Sequence, residues 1–344
     1  MSSTLAAYAP RIGLCILLLS AVTTAGADET CGLQNVVYDS IFKNGFDQPP
    51  APSGDLGPPL DTVAVPIYGV TPTIAITDPQ PGTSTGSPSV AVVGTYTGPA
   101  ATGVSVNGFA AVVENGAFVI PRISLVNGSN TLQATVTTLD GLTATAQVAV
   151  TYSAAPSNSS LGVDTNTGAA PLSVGFNVAP PSNVSVQSFM LNYGDGTPPY
   201  TGPIGSIPRH TYTSAGVYKP VATIVDTQSR TYAATTGIGI YSVPHIRSQV
   251  CSVYAYLRAR LNASDAAGAL KAFDENAQIR YNDFLTASGT NLPQVAATMG
   301  ILAAGSFTPT FAELLSVRVQ NNAMTGATVR FSQGQDGVWR IESM

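Results

Sequence analysis

Four Asn-Gly or Asp-Gly pairs fall within about 35 residues of this chain: Asn107-Gly108, Asn115-Gly116, Asn127-Gly128 and Asp140-Gly141. Each pair supplies positive φ at little steric cost, which tight hairpin turns demand. Turns packed so closely leave room only for short strands, and short antiparallel strands build a sandwich. The flanking residues agree. Leu132, Ala134 and Val136 alternate with Thr131, Gln133 and Thr135, and Ala146, Val148 and Val150 alternate with Thr145, Gln147 and Ala149. This period of two puts one face in a core and the other in solvent. With 44% hydrophobic and 10% charged residues, the chain has ample apolar material to bury and does not suit disorder.

A second tract repeats the logic. Leu172, Val174, Phe176 and Val178 alternate, as do Phe189, Leu191 and Tyr193, which run into Gly194-Asp195-Gly196. His210 and Tyr212 lie two apart and share a strand face. Tyr218 to Asp226 reads as the last long strand, and Pro220 requires it to be an edge or to bend. Beyond residue 245 the period changes. Ile246, Val250, Val253, Tyr254, Leu257 and Leu261 fall at helical spacing. Ser264-Asp265 caps a second helix with an apolar stripe of Ala269, Leu270, Phe273, Ala277, Tyr281, Phe284 and Leu285, and a third helix follows Asn291. Alternating strands close the tract, at Leu315–Val319, Val329–Phe331 and Val338–Ile341.

The N-terminus reads as a secretory signal over 1–27: Arg11, an apolar run from Ile12 to Val22, then Ala25-Gly26-Ala27. That run is too short to span a bilayer, which needs about 20 residues. Residues 28–72 form a head and a Pro-rich linker that favours extended, semi-rigid chain. Signal cleavage leaves Cys31 and Cys251, which an oxidising compartment would allow to pair. The joints near Ala155–Ser160 and Ser242–Pro244 are short and suggest a stiff rod.

Three resemblances refine this reading. Leu191-Asn192-Tyr193-Gly194-Asp195-Gly196-Thr197, with His210-Thr211-Tyr212, Gly216-Val217-Tyr218 and Asp226, resembles the signature of the polycystic kidney disease (PKD) domain, an extracellular β-sandwich. Leu191 stands where that family often has Trp. The spacing Val106-Asn107-Gly108, Asn115-Gly116-Ala117-Phe118, Leu125, Gly128, Asn130-Thr131-Leu132 and Asp140-Gly141 resembles the bacterial Ig-like domain of glucodextranase, domain B. The closing Asp336-Gly337-Val338-Trp339-Arg340-Ile341 resembles the nuclear-transport-factor-like cone fold. The fold class implied is multi-domain: two tandem all-β Ig-like sandwiches over 73–152 and 160–242, then an α+β domain over 246–344 with three helices and a curved antiparallel sheet. Ile41-Phe42-Lys43-Asn44-Gly45-Phe46-Asp47 resembles a short segment of secreted bacterial proteins, and reads as a docking tag or as a local turn.

Candidate chemistry is sparse. A nucleophilic triad needs a base, and the chain has two histidines. His210 belongs to the PKD-like motif and His245 reads as an exposed hinge residue. No Cys-x-x-Cys spacing occurs. No catalytic residue and no metal site is therefore expected, and no cofactor. Calcium on Asp195 and Asp226 is the one weak alternative. In the C-terminal domain Tyr254, Tyr281, Phe284, Phe331 and Trp339 read first as core and second as an apolar ligand cup. The acid-rich front and near-neutral back give no footprint for nucleic acid. The expectation is a secreted or periplasmic bacterial protein, non-catalytic, that binds polysaccharide, cell envelope or a surface protein; Tyr96, Tyr200 and Tyr232 read as exposed side chains able to stack on sugars, but isolated surface tyrosines are common and mark no site. The alternatives are a small-ligand binder or enzyme in the cone and a spacer presenting the N-terminal segment.

Overall fold

In the computed structural model, residues 68–153, 159–320 and 323–344 are described. The signal-like segment, Cys31, the Ile41–Asp47 segment and most of the Pro-rich linker lie outside them.

Strands β1 (Thr73–Asp78), β3 (Ser89–Thr97), β6 (Val112–Glu114) and β7 (Ala117–Ser124) form a sheet in the order β1-β3-β7-β6. Strands β2 (Thr83–Thr85), β4 (Gly103–Val106), β5 (Phe109–Ala110), β8 (Gly128–Thr137) and β9 (Thr143–Tyr152) form a second, in the order β2-β9-β8-β4-β5. Val92, Phe118 and Ile120 from one sheet meet Val106, Leu132, Val136 and Val150 from the other in a single core. The alternation sets this face. Asn107-Gly108 and Asn115-Gly116 adopt positive φ at both residues, as such hairpin turns require. At the other two pairs only the glycine does. The loop entering β8 is instead held by Asn130, whose side chain accepts from Val126 N and donates to Val126 O, each at 2.8 Å.

The second sandwich is divided more finely. β14 (Val186–Asn192), β17 (Val221–Asp226) and β18 (Thr231–Thr235) make one sheet, and β11 (Thr167–Ala169), β16 (Gly216–Tyr218) and β19 (Ile238–Tyr241) another. β12 (Leu172–Val174) pairs with β15 (His210–Tyr212), and β10 (Ser160–Val163) with β13 (Phe176–Ala179). The expected strand from Tyr218 to Asp226 is in fact two strands in different sheets. Pro220 cannot donate to a ladder, and the chain crosses between sheets at that residue. Two shorter strands, β18 and β19, follow β17.

Four helical segments open the third region: α1 (Val243–Asn262), α2 (Ala266–Leu270), α3 (Glu275–Ser288) and α4 (Leu292–Thr298). Strands β20 (Ile301–Phe307), β21 (Phe311–Gln320), β22 (Ala323–Gln333) and β23 (Trp339–Ser343) then pair antiparallel in chain order. The expectation of three helices is corrected here. The second is broken at Ala272–Asp274, where the chain turns extended and joins the edge of β23. Ile341 N donates to Ala272 O at 2.8 Å and Asp274 N to Ile341 O at 3.0 Å. Asp274 then restarts the helix as an N-cap, accepting from Ala277 N.

The rod expectation is also corrected, because the first sandwich packs against both other regions. Ala101 and Leu139 belong to the core of the third region. Gly103 lies against Gly337: a Cβ on Gly103 would sit 2.1 Å from the Gly337 carbonyl carbon and 2.3 Å from Val338 N. Lys271 Nζ donates to Asp140 O at 2.6 Å. Tyr68 meets Tyr256 edge-on at 5.1 Å, with the Arg260 guanidinium 4.1 Å from the Tyr68 ring centre. On the other side, Gly239 lies under Val112 and Gly237 under Val119 and Pro121, and Lys219 Nζ pairs with Asp78 Oδ1 at 2.6 Å. At Gly103, Gly237 and Gly239 the missing side chain is what lets the neighbouring region approach.

Cys251 on α1 is buried and disulfide-bonded. Among the described residues no helix is long and apolar enough to cross a membrane.

Candidate functional site

The PKD-like motif residues of the second sandwich form one stack. The Tyr193 and His210 rings lie parallel, 3.8 Å apart with 6° between planes. His210 Nε2 is 2.6 Å from Asp195 Oδ2, and Asp195 Oδ1 accepts from Thr197 N and Oγ1. Burial alone would raise the Asp195 carboxyl, but the Thr197 and His210 hydrogen bonds outweigh it and hold the carboxyl below its ordinary range. Tyr212 meets His210 edge-on at 4.8 Å and donates to Tyr193 O at 2.9 Å. Tyr218 tilts against Tyr212 at 4.7 Å and donates to Ser214 O. Gly194 has φ +80° and lies so close to Lys219 that a Cβ would fall 2.8 Å from its carbonyl oxygen. Gly196 takes φ +82° in the same turn, and Gly216 opens β16. These contacts brace the fold.

Asp226 is not brought to Asp195 by any shared contact among the described residues. Its Oδ1 accepts from Gln228 N and Arg230 N, and its Oδ2 from Arg230 Nε and Tyr232 Oη. Both carboxylates proposed for calcium are thus engaged by protein donors.

The stack supports an open groove. Phe176 packs on Tyr193 with ring centres 5.4 Å apart, on β13 beside β10. The groove has a volume of about 570 Å³ and is lined by Ser160, Asp164, Phe176, Asn177 and Ile207 among others. Asp164, which lines it, forms an ion pair with Arg209, both side chains about half exposed. Asp164 Oδ1 also accepts from Gly175 N at 2.8 Å, and that bond and Arg209 hold its carboxyl below the usual range. Arg209 Nε and Nη2 donate to Ser173 Oγ and O, fixing the guanidinium. Sequence reasoning missed this groove. Phe176 lies in the alternation it identified, but period two does not say which face is left uncovered.

The C-terminal candidates separate. Tyr254, Phe331 and Trp339 are buried in the third core. The Tyr254 hydroxyl donates to Gly300 O at 3.0 Å and lies 3.1 Å from Ser316 Oγ. Tyr281 is half-buried against Phe273 and donates to Met344 O. Phe284 is corrected: it is 52% exposed and belongs neither to the stripe nor to a cup. On α3, Ala277 and Leu285 are the buried residues. The stacking tyrosines are corrected too. Tyr96, Tyr200 and Tyr232 are each half-buried, with Tyr200 Oη on Pro203 O and Ser206 O and Tyr232 Oη on Asp226.

A second missed cluster joins the three regions. Glu114, at the end of β6, is buried and accepts from Ser242 N and Oγ, ahead of α1. His245 is half-buried beside it rather than exposed, with Nε2 2.8 Å from Gln249 Nε2. Burial holds the His245 imidazole below its ordinary range, although Glu114 pulls it upward.

Among the described residues this architecture is that of a β-sandwich protein whose α-helices lie in its C-terminal region. The family model "Glucodextranase, domain B" matches residues 72–154. No curated protein matches the chain. Among solved structures, the PKD1 domain of the Vibrio cholerae metalloprotease PrtV is similar at 19% identity, covering 25% of this chain and 99% of that one, with a TM-score of 0.21. The fibronectin(III)-like modules of Clostridium thermocellum CbhA follow at 11% identity, 50% and 96% coverage and a TM-score of 0.20. A Bacteroides ovatus mixed-linkage glucan utilization protein, SGBP-B, in complex with a heptasaccharide, is similar at 14% identity, 50% and 48% coverage and a TM-score of 0.19.

Proposed function

We propose that this chain is a secreted, non-catalytic binding protein whose second sandwich takes a neutral polysaccharide in the Phe176 groove. The observation that carries this reading is the groove itself. It joins an aromatic wall, braced from behind by Tyr193 and His210, to polar groups of Asn177 and of Asp164, whose carboxylate is held by the fixed Arg209 guanidinium. A pyranose offers an apolar ring face and a hydroxyl edge, and sites of this kind pair apolar walls with a few placed polar groups. The Asp164–Arg209 pair is neutral overall, which favours an uncharged glycan. The disulfide at Cys251 supports an oxidising compartment, as do the signal-like N-terminus and the likeness of residues 72–154 to an accessory-type module.

The test is retention of the chain from residue 28 onward on insoluble neutral polysaccharides, beside Phe176→Ala and Arg209→Ala. Retention of the parent with loss in both variants, at unchanged melting temperature, supports the groove. Equal retention of parent and variants moves binding elsewhere on the molecule. No retention of any form removes the glycan reading and leaves a protein partner.

A further inference from the structure

Glu114 is a buried carboxylate whose hydrogen-bond partner lies in another region of the chain. Ser242 N donates to its Oε2 at 3.0 Å and Ser242 Oγ to its Oε1 at 3.1 Å. The same Ser242 hydroxyl accepts from His245 N at 3.1 Å, capping α1. A continuous chain of bonds therefore runs from the first turn of α1, through its cap, to the edge of the first sandwich. The helix N-terminus favours the negative charge there. Among the described residues no Lys or Arg pairs with Glu114.

The titratable groups that face this carboxylate come from three elements. Tyr96 of β3 is pushed up to about 12 by burial and by Glu114. Tyr218 of β16 is raised by burial, then by Asp195 and Glu114. His245 of α1 is the one group among them that changes charge near neutrality. Its Nε2 lies 2.8 Å from the side-chain nitrogen of Gln249, which is buried. An amide nitrogen only donates, so Nε2 accepts and the imidazole is neutral with its proton on Nδ1. A proton added at Nε2 would face the amide N–H groups and break this hydrogen bond.

We propose that Glu114, Ser242, His245 and Gln249 form an acid-released latch, which docks the start of α1 on the first sandwich at neutral pH and lets go when His245 takes up a proton. The docked imidazole binds a proton more weakly than an undocked one. Docking is therefore fully present above the ordinary histidine range, and is lost as pH falls below about 6.5. The release is local, because the Gly103–Gly337 contact and the shared core of Ala101 and Leu139 contain no group that titrates there.

Hydrogen exchange of the full chain tests this, read in peptides covering 240–250 and, as a control, 335–341, at about pH 7.5 and about pH 5.5 with intrinsic rates corrected. The expected result is exchange at Ser242 and His245 that rises severalfold at the lower pH, the direction set by burial of the neutral imidazole, while the control stays protected. In His245→Gln the rise should vanish, and in Glu114→Gln exchange should be fast at both pH values. Unchanged exchange in the parent, or the same rise in His245→Gln, overturns the latch. If a variant does not fold, NMR titration of the two histidines in the parent decides instead. A His245 midpoint that coincides with the rise in exchange supports the latch; titration of His245 with no change in exchange overturns it.

Discussion

The first and second sandwiches are made from the same alternating strands, yet they use their surfaces differently. The first is covered from two sides. Its Ala101 and Leu139 complete the core of the C-terminal region, Gly103 lies on Gly337, and Val112 and Val119 lie under glycines of the second sandwich. The second leaves the β10–β13 face open and places a braced aromatic there. In a tandem array, then, one sandwich can serve as the keystone that fixes the others while its neighbour keeps a face open.

The strongest way to break that comparison is Trp339→Ala. Trp339 is buried in the third core, and such a truncation costs about 3–5 kcal/mol. If the first sandwich is the keystone, its own unfolding transition, followed by urea melts, should fall with the third region; two separate transitions with the first unmoved would dissolve the comparison. Gly103→Val comes next. The added side chain collides with Gly337 and Val338 N, and overpacking of this kind costs about 1–3 kcal/mol. A calorimetric melt should show the loss. Smallest is Lys219→Ala, which removes the pair with Asp78 between the first two sandwiches. Both side chains are about a third exposed, so the expected cost is at most about 1 kcal/mol. A larger drop in the melting temperature would mean that the second sandwich depends on the first as heavily as the third region does.

Much of the fold was legible in the sequence, for local reasons. The core face of β8 and β9 follows from alternation within each strand, and the Asn107-Gly108 and Asn115-Gly116 turns follow from the φ values those residues tolerate. The Asp195–His210–Tyr193 stack draws on residues within one motif. What was missed depends on partners far along the chain. Glu114 meets Ser242 at a separation of 128 residues, and nothing near either residue marks the pairing. The break between α2 and α3 comes from β23, which arrives about 70 residues later. Phe284 shows the limit of the helical period. An amphipathic stripe gives the side on which a helix is apolar but not how much of it the neighbours cover, and α3 lies with little more than Ala277 and Leu285 under cover. The groove was hidden for the same reason, since the openness of a face is set by what fails to pack on it.

The contact between Gly103 and Gly337 also orders events in time. The first sandwich leaves the ribosome, and in a secreted chain the translocation channel, long before Gly337 and Val338 exist, so Ala101, Gly103 and Leu139 wait uncovered in the meantime. A chain interrupted before β23 would carry that apolar face permanently open. Assembly of this protein therefore distinguishes finished molecules from unfinished ones, and a truncated product should be conspicuous to chaperones and proteases through its first sandwich, the part synthesised correctly.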